Sequence, residues 1–177
     1  MSKRNSFSVA IGGIVASLAV VLMFFTGVFP FATYALPALA GLLMVIIVID
    51  YNVKWALSVY VAVSILSLLI TPDREAALLF IAFFGYYPIL KSIFEKLPRV
   101  IEYILKFLVF NLAIIGAYYV IINVLGMPDI LSEFQEVGIQ LMLGLGNVTF
   151  LIYDIAISKI VTLYIKWFKP KILRKFK

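Results

Sequence analysis

The sequence predicts an all-α polytopic membrane protein: a bundle of about six transmembrane helices with the N and C termini cytoplasmic. Three observations predict it. Of 177 residues, 64% are hydrophobic and 14% charged, and the mean hydropathy is +1.12; a soluble domain keeps about a quarter of its residues charged. The 45 residues from Asn5 to Ile49 contain no Asp, Glu, Lys or Arg, enough for two crossings of about 20 residues each. The basic residues fall almost entirely on one side of the resulting spans.

The spans are read in order as 7–29, 34–50, 55–71, 75–93, 103–125 and 137–160, forming one transmembrane domain (1–177) with a basic tail at 161–177. The apolar run Phe7–Phe29 is longer than the 7–15 residues or so of a signal-peptide core, and no small-x-small site follows it, so it reads as a retained helix. Pro30 ends it, and Asp50 and Lys54 bracket the turn after the second span. Thr71-Pro72-Asp73 reads as a helix start, with Thr71 as N-cap and proline at the first helical position. Leu97-Pro98-Arg99 separates spans four and five, and Gly126-Met127-Pro128 closes span five. Pro37 and Pro88 fall within spans, where neighbouring groups satisfy the freed carbonyls.

With the N-terminus inside, Lys3, Arg4, Lys54, Lys91, Lys96, Arg99, Lys106, Lys159, Lys166, Lys169, Lys171, Arg174, Lys175 and Lys177 lie at cytoplasmic ends, and Arg74 alone lies outside. Fourteen against one fixes the orientation and an even number of crossings in the plasma (cytoplasmic) membrane. The +6 net charge is therefore a topology signal rather than a nucleic-acid one. The tail from Lys166 to Lys177 reads as an interfacial anchor, aromatics at headgroup depth and lysines against anionic lipid.

Absences narrow the chemistry. The chain has no histidine and no cysteine, which removes serine–histidine hydrolysis, HExxH metal sites, thiolate catalysis and sulfur-bound metals. No clustered acid pair or nucleophile–base pair is visible, so an enzyme is not expected, nor a metal or cofactor. There is no GxxxxGK[ST], so any ATP energy must come from other subunits.

Function is sought instead in polar residues at depths where they are costly. On span six, Gln140, Asn147 and Asp154 recur every seven residues. On span three, Tyr60, Ser64, Ser67 and Thr71 form one stripe; on span five, Asn111 and Tyr118 share a face, with Tyr119 and Asn123 beside them. Arg74, Ser64, Ser67, Thr71, Tyr118, Asn123, Gln140 and Asn147 lie toward the outside and are the candidate substrate-binding set. Arg74, at a helix N-terminus, suits an anionic group, or alternatively pairs with nearby acids such as Asp73, Glu75, Asp129, Glu133 and Glu136. Asp154, Asn111 and Tyr86, with Tyr87 beside it, lie toward the inside. Asp154 reads as a partly buried acid near the inner interface, with a proton-linked carboxylate as the alternative. Each polar residue also has a structural role open to it, since serines bond back to their own helix and asparagines join helices. On span one, Ser8, Gly12 and Ala16 form a small-xxx-small ladder for helix packing, with Gly13 and Ser17 alongside.

Six helices in under 200 residues, cytoplasmic ends and the Ser8-Gly12-Ala16 ladder resemble the substrate-binding S component of energy-coupling-factor (ECF) vitamin transporters. The resemblance implies that the ladder packs against a transmembrane coupling subunit working with ATPase subunits. It also implies that the connection Pro30-Phe31-Ala32-Thr33-Tyr34 lies over an outward pocket for a small-molecule ligand. The other reading is a non-catalytic membrane scaffold, similar to the rod-shape proteins of the bacterial cell envelope, with a dry core and no pocket.

Overall fold

In a computed structural model the chain is an all-α membrane protein, described over residues 3–126 and 138–168. Among these residues there is no strand. The helices are α1 (Lys3–Phe25), α2 (Ala35–Asp50), α3 (Val53–Ile70), α4 (Arg74–Leu79), α5 (Tyr87–Phe94), α6 (Arg99–Asn123) and α7 (Ile139–Leu163). Turns of π-helix at Phe80–Phe84 and Tyr164–Phe168 extend α4 and α7. Taking α4, the π-turn and α5 as one span, five segments are long and apolar enough to cross a bilayer, and α2 is a shorter sixth. The acidic connection (Asp129, Glu133, Glu136) and the tail from Lys169 onward lie outside the described residues.

The spans fall within a few residues of those predicted, and the differences have local causes. The first helix stops at Phe25, not 29, because Thr26, Gly27 and Val28 turn back onto the carbonyls of Met23, Phe24 and Phe25. Asn52, unremarked in the sequence, caps α3 by accepting from the Trp55 amide at 2.8 Å. The predicted Thr71 N-cap is wrong. Thr71 closes α3 instead, its amide donating to the Ser67 carbonyl, and Asp73 caps α4 by accepting from the Ala76 amide at 3.0 Å. Proline at 72 leaves residue 71 extended, so the cap moves two residues on.

At 16 residues α2 is about 24 Å long, short of the hydrocarbon thickness of about 30 Å. It compensates by lying at the centre, packed against α1, α3, α7 and the whole of span four. Close approach there depends on Gly41. A methyl group at that position would overlap the Phe84 carbonyl oxygen and stand 2.7 Å from the Tyr153 hydroxyl. Phe84 O is the carbonyl that the missing N–H of Pro88 leaves without its helical donor, so the break in span four is seated on the one residue of α2 that admits it.

That break is the main irregularity of the fold. The Gly85 amide reaches back to Phe80 O in a π-type bond, and α5 restarts at Tyr87 with Pro88 in its first turn, where a helix tolerates proline best. Tyr60 of α3 donates to Ile81 O at 2.7 Å, stitching the irregular turn to its neighbour. Around it sits an aromatic core: Phe83 stacks on Tyr87 at 4.6 Å, and Phe110 on Phe150 at 4.7 Å, with Phe83 edge-on to both. Elsewhere the core is aliphatic, with Val15, Ala19 and Met23 of α1 buried while Ile14, Leu18 and Val21 face lipid.

Candidate functional site

Polar groups gather in three layers down the bundle. At the end that the basic residues assign to the outside, the connection between α1 and α2 runs along the start of span four. Gly27 meets the ring of Pro72, Thr33 donates to Asp73 at 2.8 Å, and Tyr34 donates to Glu75 at 3.0 Å. Tyr118 of α6 donates to the same Glu75 oxygen at 3.0 Å, and the two phenol oxygens lie 3.2 Å apart. A carboxylate oxygen and two phenols thus form a triangle that ties the connection, span four and α6 together. At the end of α3, just before Pro72 and Asp73 in the chain, the hydroxyls of Ser67 and Thr71 are buried, at 0% and 2% exposure, with no hydrogen-bond partner among the described residues. A buried hydroxyl without a partner costs about 1–3 kcal/mol, so two in succession mark a place where stability has been given up.

The middle layer is closed. Asn111 of α6 and Asn147 of α7 exchange amide hydrogen bonds of 2.9 and 3.1 Å. Each also donates to the carbonyl four residues back, Phe107 and Leu143, at 2.8 Å. Both N–H bonds of each amide are spent, so the pair joins two helices and has no donor left for a ligand.

The inner layer is ionic. Asp154 of α7, 6% exposed, accepts from Tyr87 at 2.6 Å and Lys91 at 2.5 Å, both on α5, and from Lys106 of α6 at 3.1–3.2 Å. Lys91 also pairs with Glu95 at 3.0 Å, and Lys106 with Glu102 at 2.6 Å. Lys91 and Lys106 are each 2% exposed, so two ammonium groups and a carboxylate are removed from water and from lipid together. The arrangement fastens the inner half of span four to α6 and α7. Two lysines face three carboxylates, Asp154 inside and Glu95 and Glu102 toward the inner rim, so the cluster carries a formal charge of −1.

The sequence-predicted residues are therefore divided among different places. Tyr118 reaches the outer triangle. Ser64, Ser67 and Thr71 form the buried face of α3 that meets the same end of the bundle. Arg74 does not face Glu75; its exposed side chain donates to the Leu68 carbonyl and caps the C-terminal end of α3. Asn123 is exposed and back-bonded to Tyr119 O, and Gln140 is exposed. Asn147 belongs to the middle layer with Asn111, so the predicted inner cluster of Asp154, Asn111 and Tyr86 does not assemble. Tyr86 packs edge-on against Tyr60 at 5.9 Å, and its neighbour Tyr87 takes the place at Asp154. In the α1 ladder, Gly12 faces α3, where a Cβ would stand 3.2 Å from the Trp55 ring. Ala16 is partly buried against the same core, and Ser8 is half-buried. Gly13 and Ser17, beside the ladder, are the small residues that point outward.

Sequence reasoning missed Glu75, Tyr34, Lys91 and Lys106 as site residues. Lys91 was readable: it lies two residues inside the end of a predicted span, where an unpaired ammonium is not tolerated. Comparison with family models, with curated proteins and with solved structures returns no match for this chain.

Proposed function

We propose that the chain is the membrane-embedded capture subunit of a small-molecule uptake system, taking its ligand from the outer face. One observation supports this above the others. The buried, partnerless hydroxyls of Ser67 and Thr71 lie at the bundle end that the connection 26–34 covers, held there by Thr33–Asp73 and Tyr34–Glu75. Hydroxyl, carboxylate and phenol groups in that setting suit a small polar ligand, which would supply the missing hydrogen bonds as the connection closes. Arg74 is not part of this reading. In the ECF-like scheme that the architecture resembles, energy would come from a transmembrane coupling subunit and ATPases outside this chain.

A second reading, the non-catalytic scaffold, is favoured by the middle and inner layers, whose polar groups satisfy one another around a packed aromatic core. Purification separates the two. A capture subunit, denatured after gentle isolation, releases a small polar molecule detectable by mass spectrometry, and Thr71→Val and Glu75→Gln fold in equal yield but retain little of it. Release of no such molecule from the wild type, with variants that still assemble with envelope proteins, supports the scaffold instead.

A further inference from the structure

Along the inner end of α7, facing Tyr103 of α6, runs a shallow, open groove of about 450 Å³. Asp154 lines it at the end nearer the midplane; Ser158, Lys159 and Thr162 run along α7 toward the end that the basic residues assign to the cytoplasm, and Tyr103 of α6 also lines it. The groove opens sideways into the bilayer, because Ile155 and Ile152 of α7 and Ile104 and Leu108 of α6 are all more than half exposed around and above it. From Asp154 to Thr162 it spans about 12 Å of helix, the depth over which a bilayer passes from hydrocarbon to headgroup.

The lining has a definite sign pattern. Lys159 is its one exposed cation. The Ser158 and Thr162 hydroxyls spend their protons on carbonyls four residues back, at 3.2 and 2.9 Å, so their oxygens face outward as acceptors. Asp154 adds the edge of a carboxylate. A cation beside three acceptors calls for a ligand that carries an anion next to hydrogen-bond donors, with an apolar part directed toward the midplane. Acyl chains alone cannot satisfy such a wall. A phosphate without donors answers only the lysine, a glycerol head brings neutral O–H donors but no positive charge for the Asp154 carboxylate, and a trimethylated ammonium has no N–H to give the acceptors.

The geometry points to a binding site for an inner-leaflet phospholipid with a phosphoethanolamine head: its phosphate on Lys159 and Tyr103, its ammonium on the Ser158 and Thr162 oxygens, and an acyl chain along Ile155 and Ile152. This site is independent of the outer capture reading and uses none of its residues.

The test uses the full chain with Trp55→Phe and Trp167→Phe, its two tryptophans, and Ile155→Trp as reporter. It is reconstituted with brominated phosphatidylethanolamine, phosphatidylcholine or phosphatidylglycerol. Quenching should show phosphatidylethanolamine preferred over phosphatidylcholine by about five-fold, the factor of one net hydrogen bond, and over phosphatidylglycerol as well. Lys159→Gln should lower affinity about five-fold, as expected for one lysine at a lipid headgroup, and Thr162→Val should erase the ethanolamine preference. Lys54→Gln, at another cytoplasmic-end position, should change neither. Preference for phosphatidylglycerol, equal quenching by all three lipids, or full displacement by soluble phosphoethanolamine would each overturn the assignment.

Discussion

Replacing Asp154 by Asn keeps the shape of the side chain and removes its charge. Four contacts change at once: the Tyr87 hydroxyl at 2.6 Å, Lys91 at 2.5 Å and both approaches of Lys106 at 3.1–3.2 Å. The two ammonium groups, each 2% exposed, then keep one carboxylate apiece, Glu95 and Glu102. Glu102 is well placed at 2.6 Å and 14% exposed, whereas Glu95 is 46% exposed and holds Lys91 only from the rim. Breaking a buried ion pair from one side costs about 3–5 kcal/mol. At 2–4 °C or so per kcal/mol for a chain of this size, the apparent Tm in detergent falls by roughly 6–20 °C. The loss centres on Lys91, a buried ammonium left with only the half-exposed Glu95, so adding Lys91→Met to Asp154→Asn should recover a substantial part of it, because well-packed apolar groups replace buried ion pairs at little cost. A single variant melting with the wild type, or a double variant that loses the sum of both single effects, would refute the reasoning.

Three further outcomes follow from the packing and the topology. Gly41→Ala should abolish folded yield, since its methyl meets the Phe84 carbonyl, while Gly116→Ala, with nothing within 4 Å, should express normally. A double-mutant cycle on Asn111→Ala and Asn147→Ala should return a coupling of about 0.6–1.7 kcal/mol, the range for helix-joining polar pairs in membranes; a coupling near zero would make the amides independent. Cysteine at Ser132 should react with an impermeant thiol reagent on intact cells, and cysteine at Ser2 or Ile172 only after permeabilisation. Outside labelling at residue 172 would contradict the orientation given by fourteen basic residues against one.

Hydropathy and proline positions were enough to place the spans, because crossing a bilayer leaves few alternatives to an apolar helix. Side-chain partnerships were not legible in the same way. Asn111 and Asn147 are 36 residues apart, and periodicity along each helix says which face they occupy but not which helix meets that face. Lys91 and Lys106 were absorbed into the topology count. Their charge identifies the inner end, but only the approach of α5, α6 and α7 reveals that they share Asp154. Tyr86 and Tyr87 are indistinguishable in the sequence; the π-turn at Phe80–Phe84 rotates Tyr87, not Tyr86, toward α7, and no residue in that apolar stretch announces the extra residue in the turn. Arg74 was expected to face a ligand because it stands alone outside, yet the unpaired carbonyls ending α3 offer it a nearer acceptor.

Access to the α3 hydroxyls is the most direct test of outward capture, and the absence of natural cysteine makes it clean. Ser67→Cys, at a position 0% exposed, should react slowly with an impermeant thiol reagent applied to intact cells. Adding Glu75→Gln weakens the carboxylate that holds Tyr34 and Tyr118, so the reaction should accelerate by about ten-fold or more, as expected when a charge-assisted bond is lost. Labelling of Ser67→Cys only after permeabilisation, at the same rate with or without Glu75→Gln, would contradict a ligand site closed by the 26–34 connection and opened from outside.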